Sequence, residues 1–115
     1  MTNNTFQLPK PVETYFHASG IYDHQLLAGC FAADALLVDV GEEYHGPDAI
    51  SKYILEANRN AKVMTDITAC AEKNGETVVT ATISGNFDGS PIPLDFRFTL
   101  NNGKIKALTI VLAGE

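Results

Sequence analysis

One carboxylate stands inside the most apolar stretch of the chain. Asp39 interrupts the run Leu36–Val40, LLVDV. An unpaired buried carboxylate costs several kcal/mol, so this side chain must find a partner or stay partly hydrated. One interpretation is a general base in an apolar cavity, with a pKa set by partial desolvation and hydrogen bonds. The other is an aspartate at a strand end that binds backbone amides of the Gly41–His45 loop.

Tyr15 is the second residue whose type and position could do chemistry. It falls at helical spacing with Val12, Phe16 and Ser19. Its hydroxyl could donate a hydrogen bond to a ligand oxygen, or its ring could simply belong to the core. A phenol and a carboxylate in one dry cleft could enolise a ketone, because the carboxylate takes the α-proton while the phenol stabilises the charge on oxygen.

The other reactive residue types show no catalytic or metal-binding pattern. The histidines His17, His24 and His45 are expected at the surface, and their spacing is not that of a metal site. No nucleotide-binding or nucleophile motif is present, so we predict no metal and no cofactor. Cys30 and Cys70 lie far apart and outside any CxxC pattern, which predicts two reduced, buried, small apolar side chains.

Composition limits the classes of protein and partner. The 115 residues, 45% of them hydrophobic, predict one globular domain over residues 1–115. A net charge of −6 disfavours nucleic acid or an anionic membrane as a partner, since both carry negative charge. The N-terminus lacks the basic and apolar regions of a signal peptide, and no apolar run approaches the roughly 20 residues that span a bilayer. A cytoplasmic location is therefore expected.

Three helices are predicted in the N-terminal half. The first covers Leu8–Ser19, with prolines at its start, where a missing N–H is tolerated, and Gly20 as its stop. Asp23 can cap the second helix. Pro47 and Asp48 open the third. The apolar face of the second helix is expected to hold Leu26, Leu27, Cys30 and Phe31, and the buried stripe of the third Ile50, Tyr53, Ile54 and Ala57.

The hydrophobic period changes from 3.6 to 2 after Lys62, which predicts a series of strands. Pairs ending in glycine, Asn74-Gly75, Asp88-Gly89 and Asn102-Gly103, indicate tight turns between them. The predicted strands are Ala35–Val40, Val63–Lys73, Glu76–Phe87, Ile92–Leu100 and Ile105–Leu112. Helices followed by antiparallel strands predict an α+β fold with three N-terminal helices packed on one face of a curved, mostly antiparallel sheet.

This order resembles the NTF2-like superfamily, in particular its SnoaL-like and ketosteroid-isomerase-like branch. The resemblance covers about Leu8 to Leu112. It is carried by ETYF in the first helix, by YDHQLLAGCFAADALLVDVG, by the helix opening HGPDAISKYI and by LDFRFTLNNGKI. It implies a sheet curled into a half-open cone, helices that close the wide side, and a mostly apolar cavity for a small apolar ligand. It also implies a homodimer formed through the sheet.

The resemblance to ketosteroid isomerases assigns roles to two residues. Asp39 falls where these enzymes place their general base, and Tyr15 where they place an oxyanion-hole hydroxyl, beside a protonated aspartic acid that completes the hole. At the position of that acid this chain has Leu94, with Asp95 one residue later. Strand alternation puts Asp95 on the face of Arg97 and therefore away from the cavity. Half of the oxyanion hole is thus expected to be missing.

Aromatic and aliphatic side chains are the candidates for the cavity wall. The predicted binding residues are Phe16, Phe31, Tyr53, Ile54, Phe87, Leu94 and Phe96. The sequence does not separate lining from core for the aromatic residues, nor for Met64 and Phe98.

Three functions fit these expectations. The first is a cofactor-free isomerase, cyclase or dehydratase that abstracts a proton from a small apolar carbonyl compound, with Asp39 as base and Tyr15 as donor. The second is a non-catalytic small-molecule binder, which the missing acid favours. The third is a dimeric interaction module that uses the polar outer face of the sheet, where Thr80 and Arg97 lie. This superfold carries many activities, so the fold alone does not choose among them.

Overall fold

A computed structural model describes residues 7–114. Three helices and six strands follow one another in the order α1 Lys10–Gly20, α2 His24–Gly29, β1 Phe31–Asp39, β2 Glu42–His45, α3 Pro47–Ala61, β3 Met64–Lys73, β4 Glu76–Ser84, β5 Ile92–Asn101 and β6 Lys104–Leu112. The three helices pack on a curved, mostly antiparallel six-stranded sheet, which confirms the predicted α+β class.

The helices begin and end close to where the sequence predicts. Pro9 precedes α1, Pro47 is the first residue of α3, and the Asp23 carboxylate accepts a hydrogen bond from the backbone N–H of Leu26 to cap α2. The predicted apolar face of α2 is wrong. The helix is only six residues long, Leu26 is exposed, and Phe31 already belongs to β1, so Leu27 is the one residue of the helix that is buried.

The strands follow the order β2-β1-β6-β5-β4-β3 across the sheet. All neighbours are antiparallel except β1 and β6, because the chain crosses from β2 through α3 to β3 at the far edge of the sheet and returns through β4 and β5. Buried side chains of β4, β5 and β6 face the helices and form the core with α1 and α3. The largest fully buried side chains include Phe98, Leu108, Leu37, Leu27 and Ile50.

Two strand boundaries differ from the prediction by more than one residue. β1 begins at Phe31 and not at Ala35, because a register irregularity lets its first residue also pair with β6. β4 ends at Ser84, so Phe87 lies in the loop that leads to β5. The backbone N–H of Asn86 donates to the carbonyl of Ala61, which draws the chain out of the sheet after β4.

Strand β2, Glu42–His45, was not predicted. Its sequence EEYH is short, charged and without alternation, so it carries no strand signal of its own. It forms because Val40 and Gly41 both adopt positive φ, +52° and +75°, and fold the chain back in a two-residue hairpin turn. This hairpin pairs Asp39 with Glu42 and Leu37 with Tyr44.

Candidate functional site

Asp39 is the last residue of β1, directly before the Val40-Gly41 turn. Its backbone lies opposite Ile110 on β6, and its side chain shares a face with Leu37, which is fully buried under the helices. The hairpin and the parallel β6 therefore fix the carboxylate on the helix-covered face, at the point where the sheet opens.

The partner of the carboxylate is Tyr53, from the second turn of α3. Its hydroxyl donates a hydrogen bond of 2.7 Å to Asp39 Oδ2. Tyr44 on β2 stacks on the Tyr53 ring with 4.0 Å between centroids and 19° between planes. The unpredicted strand β2 thus supports the ring that holds the candidate base.

Burial raises the pKa of Asp39, and the hydrogen bonds from Tyr53 and from the backbone N–H of Val40 oppose that rise. Desolvation is the larger effect, because the low-dielectric surroundings disfavour the charged form. The backbone donor is therefore Val40 itself and not an amide of the Gly41–His45 loop, and the role of Asp39 as a base stays a prediction. The carboxylate lies in a pocket, and it also binds a backbone amide at the strand end.

Tyr15 lies in the core and lines the cavity at the same time. Its side chain is 3% exposed, and the rings of Phe16, Phe31, Phe96 and Phe98 surround it at centroid distances of 4.9 to 6.2 Å. Burial raises its pKa far above the ordinary tyrosine value, and the charge of Asp39 adds to the rise. Within residues 7–114 the structure records no hydrogen bond from its hydroxyl, so the phenol stays protonated and free to donate.

A cavity of about 100 Å³ lies between α1, α3 and the sheet, and it contains both candidate catalytic residues. Its wall is mostly apolar. The predicted residues in the wall are Tyr15, Phe16, Asp39, Tyr53, Ile54, Leu94 and Phe96.

Two predicted cavity residues lie elsewhere. Phe31 is buried behind Tyr15, against which its ring packs at 6.2 Å, so it supports the wall without forming it. Phe87 lies in the β4–β5 loop, because the chain leaves the sheet at Ser84 and the alternation that placed Phe87 beside Ile83 no longer applies. Met64, a candidate for core or lining, is 72% exposed at the start of the edge strand β3.

The sequence analysis missed several wall residues, and polar side chains are among them. Asn58 lies on α3 one turn after Ile54, and Thr65 lies on β3. Helical spacing from Ile54 would have found Asn58, but its polarity excluded it from an apolar stripe. The other unpredicted wall residues are Ser19, Ala57, Val63, Ile83 and Ile110.

Asp95 lies on the opposite face of the sheet, as alternation predicts. It accepts hydrogen bonds from Thr80 Oγ1 at 2.5 Å and from the backbone N–H of Gly114 at 3.3 Å. Leu94 takes its place in the cavity wall. Among the described residues that form this wall, Asp39 is therefore the single carboxylic acid.

The histidines and cysteines lie apart from the cavity wall. His24 and His45 are exposed. His24 Nε2 lies 3.2 Å from Asp48 Oδ1, and His45 Nε2 lies 3.4 Å from Glu43 Oε1. Both cysteines are free. Cys30 is buried, with a thiol that donates to the carbonyl of Leu27 and a pKa that burial raises to about 11. Cys70 is partly exposed on the edge strand β3, so the prediction that both are buried is wrong for this residue.

The sequence model of the SnoaL-like domain family matches residues 12–108. The match covers most of the chain, both candidate catalytic residues and the strands that form the cavity. The chain therefore belongs to the SnoaL-like domain family, within the NTF2-like fold.

Solved structures agree with this assignment. A Sinorhizobium meliloti protein described as a candidate polyketide cyclase shares 33% identity and a TM-score of 0.86, over 92% of this chain and all of that one. A Catenulispora acidiphila protein with a ketosteroid-isomerase-like fold, solved with trimethylamine, shares 20% identity and a TM-score of 0.77, over 94% of this chain and 88% of that one. A Methylobium petroleophilum protein with a cystatin-like fold shares 16% identity and a TM-score of 0.79, over 92% and 75%.

No match was found among curated proteins. Between residues 7 and 114, the helices are too short or too polar to cross a membrane. In the same range, no three His, Cys, Asp or Glu side chains come together as a possible metal site.

Proposed function

We propose that this protein is a cofactor-free enzyme that moves a proton on the carbon next to a carbonyl group, in an isomerase, cyclase or dehydratase reaction on a small apolar carbonyl compound. The observation that carries the proposal is the juxtaposition in one cavity of the half-buried Asp39 carboxylate and the unpartnered Tyr15 hydroxyl. A general base and an oxyanion donor are the two groups that enolisation requires.

In the proposed step, Asp39 takes the α-proton and becomes a carboxylic acid. The electrons of the broken C–H bond move onto the carbonyl oxygen, where the Tyr15 hydroxyl donates a hydrogen bond to the enolate. The acid then returns the proton to another carbon in an isomerase. In a cyclase the enolate carbon attacks a second carbonyl carbon of the same substrate, the π electrons of that C=O bond move onto its oxygen, and this oxygen takes the proton from Asp39. In a dehydratase the enolate expels a β-hydroxyl group, which leaves as water with the proton from Asp39.

Tyr53 acts on the reaction through Asp39. Its hydrogen bond fixes the Oδ2 atom of the carboxylate. It also limits the rise of the Asp39 pKa that burial causes, which keeps the base ionised over a wider pH range. Tyr53 is therefore a positioning residue in this proposal.

The size of the cavity supports a small reacting group. An apolar cavity of about 150 Å³ holds one benzene ring, so about 100 Å³ admits a short chain or part of a ring. The Sinorhizobium meliloti relative, described as a candidate polyketide cyclase, is consistent with enolate chemistry on this fold.

Deuterium exchange tests the proposal directly. NMR would follow exchange at the α-carbon of butanone, cyclopentanone and a β,γ-unsaturated ketone in D₂O. We expect Asp39→Asn to slow exchange by about 10² to 10⁴ and Tyr15→Phe by roughly 10² to 10³. Asp95→Asn is the matched control, because this acid lies on the other face of the sheet. Exchange should rise with pH through the raised pKa of Asp39, since only the carboxylate is a base.

The proposal is overturned if the wild-type protein exchanges none of these ketones faster than buffer does, or if Asp39→Asn and Asp95→Asn behave alike. Circular dichroism of each variant separates loss of chemistry from loss of fold.

Leu94 favours a second candidate, a non-catalytic small-molecule binder. It occupies the wall where the related isomerases have a second acid, so β5 supplies no acidic donor to the enolate there. A binder would take up a neutral dye such as Nile red and release it to small ketones, yet would leave their α-protons unexchanged.

A homodimer through the outer face of the sheet stays a prediction. That face carries small and β-branched side chains that are partly exposed, among them Val38, Thr80 and Thr109. Sedimentation equilibrium at micromolar concentration, with Thr109→Lys as a disruptive variant, would decide it.

A further inference from the structure

Two open spaces adjoin the inner cavity, one at each side. A groove of about 430 Å³ shares Asp39, Leu94 and Ile110 with the cavity. A cleft of about 320 Å³ between α1 and β3 shares Ser19, Asn58 and Thr65, together with Phe16 and Val63. The candidate base therefore lies at the junction of the cavity with the groove, and the polar wall residues lie at its junction with the cleft.

The two spaces differ in chemistry. The groove, bounded by Val40, Ile92 and Leu112, is apolar apart from Asp39 and is named here the apolar groove. The cleft presents the hydroxyls of Ser19 and Thr65 and the amide of Asn58, and is named here the polar cleft. A half-buried amide can both donate and accept hydrogen bonds, so it recognises an uncharged polar group.

Exposed apolar side chains concentrate at these openings. Of the five large hydrophobic side chains that are exposed between residues 7 and 114, Val40 and Leu112 border the apolar groove and Met64 borders the polar cleft. Val40 is 84% exposed. Covering such surface stabilises a complex by removing apolar area from water, so an apolar ligand group in the groove is favoured.

Val40 places an apolar side chain at the edge of the groove although the backbone conformation at this position disfavours valine. Its φ of +52° lies in the left-handed region, which β-branched residues rarely adopt. The same position in the other two hairpins with two-residue turns is asparagine, at Asn74 and Asn102, each with a φ of +53°. Asparagine tolerates this conformation, so a valine here adds strain and places an apolar side chain at the groove.

The charge of the walls limits the ligand further. Every described residue that lines the cavity, the groove or the cleft is uncharged except Asp39. An anionic group beside that carboxylate would be repelled, and no cation of the walls would compensate it. An uncharged ligand is therefore favoured.

We propose that the ligand is an elongated, uncharged amphiphile that lies across all three spaces, with its hydrogen-bonding end at Asn58 and Thr65, a carbonyl beside Asp39 and Tyr15, and an apolar tail in the groove of Val40, Ile92 and Leu112. The position of the carbonyl rests on the proposed function. The orientation of the ligand and its lack of charge are inferred only from the residues that line the three spaces, and binding measurements test them.

Four probes separate the parts of the ligand: 4-oxodecanamide, 4-oxopentanamide without the tail, 4-decanone without the polar end, and the anion 4-oxodecanoate. Calorimetry or ligand-observed NMR at pH 8 would give their affinities. We expect 4-oxodecanamide to bind tightest. Loss of the tail should weaken binding roughly tenfold or more, since each methylene that passes from water into the groove adds to the binding free energy. We expect the anion to bind about tenfold more weakly than the amide.

Matched variants assign each effect to its place. Leu112→Ser should reduce the gain in affinity from the tail, whereas Ile21→Ser, at another exposed apolar residue outside the walls, should not. Asn58→Ala should remove the preference for 4-oxodecanamide over 4-decanone, whereas Asn60→Ala on the exposed side of α3 should not. Asp39→Asn should restore binding of 4-oxodecanoate.

The proposal is overturned if no probe binds, if tail length or charge has no effect on affinity, or if each variant matches its control. A protein that binds the amphiphile without exchanging protons keeps this proposal and loses the enzymatic one. If the protein exchanges protons on butanone but its affinity does not depend on the tail or the polar end of the probe, the enzymatic proposal is kept and this proposal is lost.

Discussion

The two ends of the curved sheet differ in how tightly they are packed. At one end Phe98, Ile105 and Leu108 are fully buried. Further along the same strands, Leu94 and Ile110 are only partly buried and Leu112 is 45% exposed. β1, which runs parallel to β6, ends at this open end with Asp39. One set of strands therefore supplies a solid core at one end and the candidate site at the other.

The hairpin turns follow the same division. Both Asn-Gly turns, Asn74-Gly75 and Asn102-Gly103, lie at the packed end, and both suit the positive φ that a two-residue turn needs. At the open end the turn is Val40-Gly41, which is unfavourable at its first residue. Local sequence preference is satisfied where the structure provides stability and is violated beside the candidate base, as is common near functional sites.

The largest expected contrast comes from truncating one leucine at each end. Leu108→Ala should lower the free energy of unfolding by about 2 to 5 kcal/mol, because it leaves a cavity in a filled core. Leu94→Ala should cost only about 1 kcal/mol, since its side chain borders space that is already open. Urea unfolding followed by far-UV circular dichroism measures both. Equal losses would show that the open end is packed as tightly as the core.

Exchanging the turn residues tests the second half of the comparison. Asn102→Val should destabilise by about 1 to 2 kcal/mol, because it forces a β-branched residue into the left-handed region. Val40→Asn should stabilise by about 1 kcal/mol for the opposite reason. Thermal and urea unfolding of both variants would measure these two changes in stability. A loss of stability in Val40→Asn would mean that the valine packs against more than the groove.

Removing the Tyr53 hydroxyl should have a smaller effect on stability, roughly 1 kcal/mol. Tyr53→Phe should also raise the pKa of Asp39 further, because the hydrogen bond that opposes desolvation is lost. Carbon-detected NMR of the Asp39 carboxyl over a pH series measures the shift. Tyr22→Phe, at a tyrosine whose ring contacts Arg59 outside the cavity wall, is the control and should leave the Asp39 hydrogen bond intact. An unchanged Asp39 titration in Tyr53→Phe would contradict the positioning role.

The smallest expected effect is a slope of stability with pH. The folded-state pKa of Asp39 lies above its unfolded value of about 3.9. Between these two values the folded protein binds the proton more tightly, so the contribution of Asp39 to stability falls as pH rises and is constant above the folded pKa. Asp39→Asn should remove this fall, as measured by urea unfolding from pH 3.5 to 8.

Asp34 should change the stability of the fold with pH in the direction opposite to Asp39. Its ion pair with Lys106 lowers its pKa, so its contribution is present above the unfolded pKa and is lost as pH falls through the folded one. Asp34→Asn should therefore change the pH profile in the direction opposite to Asp39→Asn. The same change in both variants would show that burial does not control the titration of Asp39.

Local signals predicted most of the fold. The change of period after Lys62, the Asn-Gly turns and the Asp23 cap gave the order of elements and the face of Asp95. They missed β2, because EEYH is held by its hairpin to β1 and by no preference of its own. They misplaced Phe87, because the backbone contact of Asn86 with Ala61 ends β4 early.

The sequence by itself determined that a carboxylate would lie in an apolar strand and that Tyr15 would lie on the apolar face of a helix, since alternation and helical spacing depend on neighbours along the chain. Only the tertiary structure decided that Tyr53 holds that carboxylate, that Tyr15 keeps an unpartnered hydroxyl, and that Asn58 and Val40 stand at opposite openings. These relations join residues from different elements, and the distances between those residues depend on how the helices pack on the curved sheet.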